Sequence, residues 1–278
     1  MITLRGLILT IATTRNFWSA VALKVLGGRR DIAFRNGFRS TLAWPEYMTA
    51  RALVRQGFAL EAREGGVVCR RGDMTIAGTL RLLGPLAEDP GQMYDADCRG
   101  KIVLDIGGCV GETAVHFTRR GAAKVIVYEP SAENQEYLNH NCAVNGVNAE
   151  IHDEGVGPRD EVVTVNYENL DGNLGVASKG SRWISFKLRN LADVISTSGA
   201  DVAKLDCEGG EQALVDVPPA TLRMIETYMI EAHGHGVRDA LVAKFAACGF
   251  EVLKDRVCWR GKRPEQYLGL LTFRRLPG

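Results

Sequence analysis

No stretch of this 278-residue chain carries the roughly 18 consecutive uncharged apolar residues that a membrane-spanning helix requires. The nearest candidate, Met1 to Leu26, is interrupted by Arg5, Arg15 and Lys24, and its apolar runs at Leu7 to Ile11 and Val21 to Leu23 are too short. The basic start, single long apolar stretch and small-residue cleavage site of a secretory signal are also missing, so an intracellular, cytoplasmic location is expected. Paired cysteines are absent. Seven occur singly, without a Cys-x-x-Cys unit, which argues against a disulfide framework or a zinc knuckle and favours reduced, mostly buried thiols. Nor is there an excess of one charge. With 34 Lys+Arg against 33 Asp+Glu the net charge is +1, and strong attraction to nucleic acid is not expected.

What charge there is lies unevenly. Residues 1–90 carry 13 basic against 7 acidic side chains, a local excess of +6, and the remainder carries −5. From Lys101 onward short apolar runs alternate with helical patterns, which predicts β-α-β units around a parallel sheet. Strands are expected at Lys101 to Ile106, Lys124 to Tyr128, Ala149 to His152, Asp201 to Leu205, Tyr228 to Glu231, Phe250 to Leu253 and Tyr267 to Phe273. Helices are expected at Gly111 to Arg120, from an N-cap at Ser131 through Val144, and at Arg238 to Cys248. The Gly-, Asn- and Ser-rich stretch Asp160 to Asn190 reads as a hairpin or loop insertion. The front of the chain reads as an accessory α+β segment: a weakly alternating strand over Asp31 to Trp44, a helix over Pro45 to Gln56, then strand-like pieces at Ala59 to Arg63 and Val67 to Arg70. The expected domains are therefore 1–90 and 91–278, with a boundary near Pro90-Gly91.

The stretch that carries chemistry is Val103-Leu-Asp-Ile-Gly-Gly-Cys-Val-Gly-Glu112. An apolar strand ends in Asp105, a loop holds Gly107, Cys109 and Gly111, and a helix begins. Glycine permits close backbone approach, and the helix start presents unpaired N–H groups. A dinucleotide loop wants Gly-x-Gly-x-x-Gly, and from Gly107 the third and sixth positions are Cys109 and Glu112. Asp-x-Gly-x-x-x-Gly instead suits S-adenosylmethionine (SAM), whose ammonium and sulfonium favour an acidic strand end. The second strand ends in Tyr128-Glu129-Pro130, and an acid about 20 residues beyond the glycine loop is placed to accept ribose hydroxyls.

DIGGCVGETA (Asp105 to Ala114), YEP (Tyr128 to Pro130), NHNCAVNGVNAEIHDEGVG (Asn139 to Gly157) and KLDCEGGEQALV (Lys204 to Val215) together resemble the FkbM-type methyltransferases. The resemblance covers about half the chain, from Tyr94 to His233. Its more specific mark is Asp-x-Glu-Gly-x-Glu, here Asp206, Glu208, Gly209 and Glu211. It implies a class I methyltransferase fold, a doubly wound, Rossmann-like α/β sheet of seven mostly parallel strands. It further implies SAM as methyl donor and a hydroxyl of a sugar, glycan or natural product as acceptor. Carried over, it assigns Asp153 to the adenine edge and Tyr94 to the methionine tail, while Cys109 departs from the Asn often found there. Tyr94 fits core packing equally well, and Asp153 fits a turn cap.

O-methylation needs the acceptor deprotonated, and a positioned carboxylate or histidine supplies that. Asp206 is expected beside the donor, with Glu208 or His233 as base, and Glu211 as a cap of the following helix. A divalent cation on Asp206, Glu208 and Glu231 is a less favoured alternative, and His235 reads as a surface residue. The competing readings are an RNA or protein methyltransferase docking through the basic front segment, and a non-catalytic SAM-binding protein. Ile8, Ile11, Phe17, Trp18 and Val21, with Arg15 and Lys24, also suit peripheral contact with a membrane surface, against the alternative of helix docking or a homodimer.

Overall fold

The computed structural model describes residues 4–167, 182–261 and 267–277, and the chain folds as two compact units, Met1–Asp89 and Pro90–Gly278. The first begins with helices Leu4–Thr13 and Phe17–Leu26. The stretch expected to be one strand is a hairpin, Arg30–Ala33 against Arg39–Leu42, reversing at Asn36-Gly37. Asn36 Oδ1 accepts the Phe38 N–H at 3.2 Å, and Gly37 has φ +98°. That local turn chemistry splits the alternating pattern in two. Helix Trp44–Arg55 follows, with Pro45 in its first turn and Glu46 accepting the Ala43 N–H at 2.7 Å. Strands Ala59–Arg63, Gly66–Arg71 and Met74–Gly78 close the unit as an antiparallel sheet.

The second unit is built on seven strands: β1 (Ile102–Ile106), β2 (Lys124–Tyr128), β3 (Ala149–His152), β4 (Val202–Leu205), β5 (Thr227–His233), β6 (Phe250–Arg260) and β7 (Tyr267–Arg275). Their order is β3-β2-β1-β4-β5-β7-β6, with β7 antiparallel to its neighbours β5 and β6. This is a doubly wound, Rossmann-like α/β sheet of seven mostly parallel strands. Glu161–Tyr167 pairs antiparallel with Arg182–Asn190, giving the hairpin form of the insertion; residues 168–181 lie outside the described residues. β6 runs well past Leu253, with register shifts between Val252 and Lys254 and between Val257 and Trp259.

Both faces of the sheet are covered, and this is why its central strands are apolar at nearly every position. On one face Val103, Val125, Val127, Val202 and Met229 pack under α1 (Glu112–Arg119) and α2 (Ala132–Val144), through Ala114, Phe117, Leu138 and Cys142. On the other, Leu104, Ile106, Ala203, Leu205 and Ile230 pack under α3 (Leu191–Ser198) and α4 (His235–Ala247). Sequence periodicity did not reveal α3, a helix of eight residues capped by Asn190, whose Oδ1 accepts the Ala192 N–H. At the centre of the sheet two charged residues interrupt the apolar strands β1 and β4, Asp105 and Lys204, and the parallel register makes them direct neighbours. At β1 the chain order turns from β2 on one side to β4 on the other, which opens a crevice at the carboxyl ends of the strands.

Phe245 of α4 stacks on Phe273 at 4.1 Å and meets Tyr228 edge-on at 4.9 Å, all three fully buried. Phe245→Ala is expected to lower stability by about 3–5 kcal/mol, read as a shift of the urea unfolding midpoint without a change of slope.

Candidate functional site

The loop between β1 and α1 is held by backbone bonds. Gly107 and Gly108 both donate to the Tyr128 carbonyl, at 2.9 and 3.2 Å. Gly107 has φ +80°, and a β-carbon there would come 1.8 Å from the Asp206 carbonyl oxygen. At Gly111, φ +85°, it would come 2.8 Å from Leu138. The glycines thus let the loop pass tightly under β4 and α2. Cys109 takes a left-handed conformation, φ +44°, a region that Asn enters more readily than most residues. Its N–H donates to Glu129 Oε2 at 2.9 Å. Burial holds the Cys109 thiol protonated, with its pKa well above the usual range.

Glu129 is buried at the end of β2. Its Oε1 accepts from the Ser131 N–H (2.8 Å) and from Asn134 Nδ2 (3.2 Å). Burial raises its pKa to about 7 against these bonds. Asp105 is fully buried: Oδ2 accepts from Thr113 Oγ1 at 2.5 Å, and Oδ1 lies 3.1 Å from Lys204 Nζ. Lys204, also buried, donates to the Gly107 carbonyl at 2.5 Å. Burial opposes its charge, but Asp105, Asp206 and Glu112 outweigh that and hold its pKa above the ordinary lysine value. Glu112, the first residue of α1, is buried with Oε2 lacking a hydrogen-bond partner, and burial raises its pKa to about 8.

A second cluster gathers at the ends of β4 and β5. Tyr94 is buried and its hydroxyl donates to Asp206 Oδ2 (3.2 Å) and Glu231 Oε2 (3.4 Å). The Lys204 ammonium lies 5.6 Å from its ring centroid. Glu208 sits at φ +52°, a strained position for a side chain with a β-carbon, immediately before Gly209. His233 is the hub. Its Nδ1 is 3.1 Å from Glu211 Oε1, and its Nε2 is 3.5 Å from Glu208 and 3.9 Å from Glu231. Burial works against a charged imidazole, but Glu211, Glu208 and Asp206 raise its pKa to about 9. Glu211 is fully buried; despite desolvation, His233 holds its pKa below the usual value, and Oε2 also accepts the Gly209 N–H at 2.8 Å. It is thus an orienting partner of His233 as well as a first-turn acid.

Tyr94, Asp206, Glu208 and His233 therefore come together, while Asp105, Gly107, Cys109, Gly111 and Glu129 form the adjoining loop. Asp153 is exposed after β3, and His235 lies near the surface, 3.1 Å from Asp239. Asp206, Glu208 and His233 offer three donor atoms within 4.8 Å of one another, so among the described residues the group that could hold a cation contains His233 rather than Glu231. A protonated His233 has no lone pair for a metal. Lys204 and Glu112 have no role in the sequence reading, and Glu231 enters it only as a possible cation ligand. A lysine inside the apolar run Val202-Ala-Lys-Leu205 was the available signal for the first.

No protein-family model matches the chain, and no curated protein matches it. Solved structures do. M. jannaschii TYW2 in complex with AdoMet is 12% identical over 78% of this chain and 90% of its own, with TM-score 0.47. The precorrin-6y C5,15-methyltransferase of Geobacter metallireducens is 10% identical over 67% and 84%, TM-score 0.39. The ribosomal protein L11 methylase of Lactobacillus delbrueckii subsp. bulgaricus is 14% identical over 71% and 78%, TM-score 0.35. The fold assignment rests on the strand order itself.

Lys204→Met is expected to cost about 3–5 kcal/mol by leaving Asp105 buried and unpaired. Adding Asp105→Asn should recover a large part of that loss, and chemical denaturation of both single variants and the double variant measures the coupling.

Proposed function

We propose that the protein is a SAM-dependent methyltransferase acting on a hydroxyl of a small molecule, sugar or glycan. The carrying observation is the juxtaposition, at the carboxyl ends of β1, β2, β4 and β5, of a glycine loop with buried acids and of an imidazole held in a carboxylate cluster.

The residues fit the donor. Glu129 Oε2 receives one backbone N–H and retains capacity for a further donor, such as a ribose hydroxyl. Glu112 Oε2, buried and unpartnered, matches an ammonium. When bound, SAM supplies an electrophilic methyl on a sulfonium. Neutral His233 takes the proton of the acceptor hydroxyl at Nε2, with Glu211 on Nδ1 fixing the ring and stabilising the imidazolium that forms. Tyr94 holds Asp206 and Glu231 in place through its hydroxyl. The preference for oxygen over nitrogen or RNA acceptors rests on the FkbM-type motifs and on Asp206-Cys-Glu-Gly209 in place of an Asn/Asp-Pro-Pro-aromatic element. The excess positive charge of residues 1–90 is the observation favouring an RNA acceptor, and salt-dependent RNA binding by the full chain is the result that would support it.

Calorimetric titration should show micromolar SAM binding and none of NAD. Glu129→Gln is expected to weaken SAM by about ten- to a hundredfold, the loss of a charged hydrogen bond. No SAM binding by the wild-type protein would overturn the reading.

Because the His233 pKa is raised to about 9, the base is largely protonated at neutrality. Its rate is therefore expected to rise with pH from 7 towards 9. His233→Gln should lower kcat by about a hundredfold or more and abolish that limb, with SAM affinity retained. Labelled-methyl transfer to hydroxyl acceptors across pH measures both. The same raised pKa stabilises the folded state below pH 6.5, and that stabilisation is lost as pH rises through about 9.

A further inference from the structure

The two N-terminal helices invert the usual arrangement of a surface helix. Among the described side chains of Leu4–Thr13, Thr10 and Thr13 are buried, and Ile8 and Ile11 are exposed. Thr10 is tied to the helix Trp44–Arg55, whereas the Thr13 bond stays within its own helix. Thr13 Oγ1 donates to the Leu9 carbonyl at 2.8 Å, and Thr10 Oγ1 accepts from the buried Arg51 at 3.3 Å. In Phe17–Leu26 the buried residues are Ala20 and Leu23. Trp18, Val25 and Leu26 are 74%, 67% and 72% exposed. With Ala22 they stand at i, i+4, i+7 and i+8, one continuous stripe. A helix normally turns such a stripe to a core. Here each helix has buried residues on one face, and Ile8, Ile11, Trp18, Val25 and Leu26 remain exposed on the other.

The charge carried by this stretch of sequence has one sign. Residues 1–30 contain five lysines and arginines and no aspartate or glutamate. Arg15 is exposed between the helices, and Lys24 is exposed on the second, beside Val25. A symmetric contact between two copies would bring these cations against each other. An anionic lipid surface instead accepts both features, with apolar side chains entering the boundary between headgroups and acyl chains and the cations resting at the phosphates. No helix among the described residues is long enough to cross a bilayer, so the contact is one of lying on the surface.

We propose that the helices Leu4–Thr13 and Phe17–Leu26 form a docking surface for an anionic membrane, with Ile8, Ile11, Trp18, Val25 and Leu26 as the inserting residues. The full-length protein should co-sediment with vesicles of phosphatidylcholine and phosphatidylglycerol, much less with phosphatidylcholine alone, and less in high salt. Trp18→Glu/Leu26→Glu should reduce vesicle binding about tenfold or more while leaving the circular dichroism spectrum and SAM binding unchanged. Val25→Glu alone serves if the double variant misfolds. Failure of the wild-type protein to bind anionic vesicles would overturn the proposal, as would equal binding by the variants. A dimer in solution that Trp18→Glu/Leu26→Glu splits would also overturn it, showing that a second copy covers the stripe.

Discussion

The buried ammonium of Lys204 is the constraint on which the second unit depends. A cation removed from water this completely must be met by acceptors or lose its proton, and here Asp105 and the Gly107 carbonyl meet it directly, with the charges of Asp206 and Glu112 acting from nearby. The parallel register between β1 and β4 places Asp105 beside it, and the loop after β1 turns its carbonyl inward. The glycine loop, the two strands and the start of α1 are therefore fastened to one side chain. Asp105 is ion-paired with Lys204 and accepts from Thr113, so it acts on the loop by setting where the backbone goes.

The carboxylates beyond that ammonium divide by environment. Glu211 is buried yet kept ionised by His233, whereas Glu112 and Glu129 are buried without a cation in direct contact and hold their protons up to near neutral pH. Glu208, on a strained backbone, is pushed upward by burial with His233 as its main relief. Pairs of acids whose surroundings drive their pKa values apart mark places where protons can be held and moved. Glu211 and Glu208 flank one imidazole in that way, and a ring held at both nitrogens has its orientation fixed before any acceptor arrives.

The seven strands, the helix after the glycine loop and the position of Glu129 were legible because they rest on local signals: apolar runs, Gly-rich turns and an acid at a strand end. Asp206, Glu208 and His233 could be read as one group because each follows a strand in the same sheet. The role of Lys204 is not legible, since it depends on which strands become neighbours, and parallel neighbours are distant in sequence. Glu211 reads as a helix cap from sequence because its contact with His233 spans 22 residues. The outward apolar stripes of the first two helices show the same limit in reverse: mixed composition announced amphipathic helices, but only packing shows that the threonines face in. The hairpin at Asn36-Gly37 was missed because an alternating pattern continues on either side of a tight turn.

The sheet ends differently on its two sides. β3 has four residues, too few to template a long partner, and Glu150 there pairs with Lys124 and His152. β6 is long, but its two register shifts bend it, and Lys254, Asp255, Arg256 and Arg260 place charge along the bends. A straight row of free amides and carbonyls invites another chain to add itself; a short edge and a crooked, charged one do not. The same irregularity that makes β6 run past its expected end thus protects the sheet from growing by aggregation.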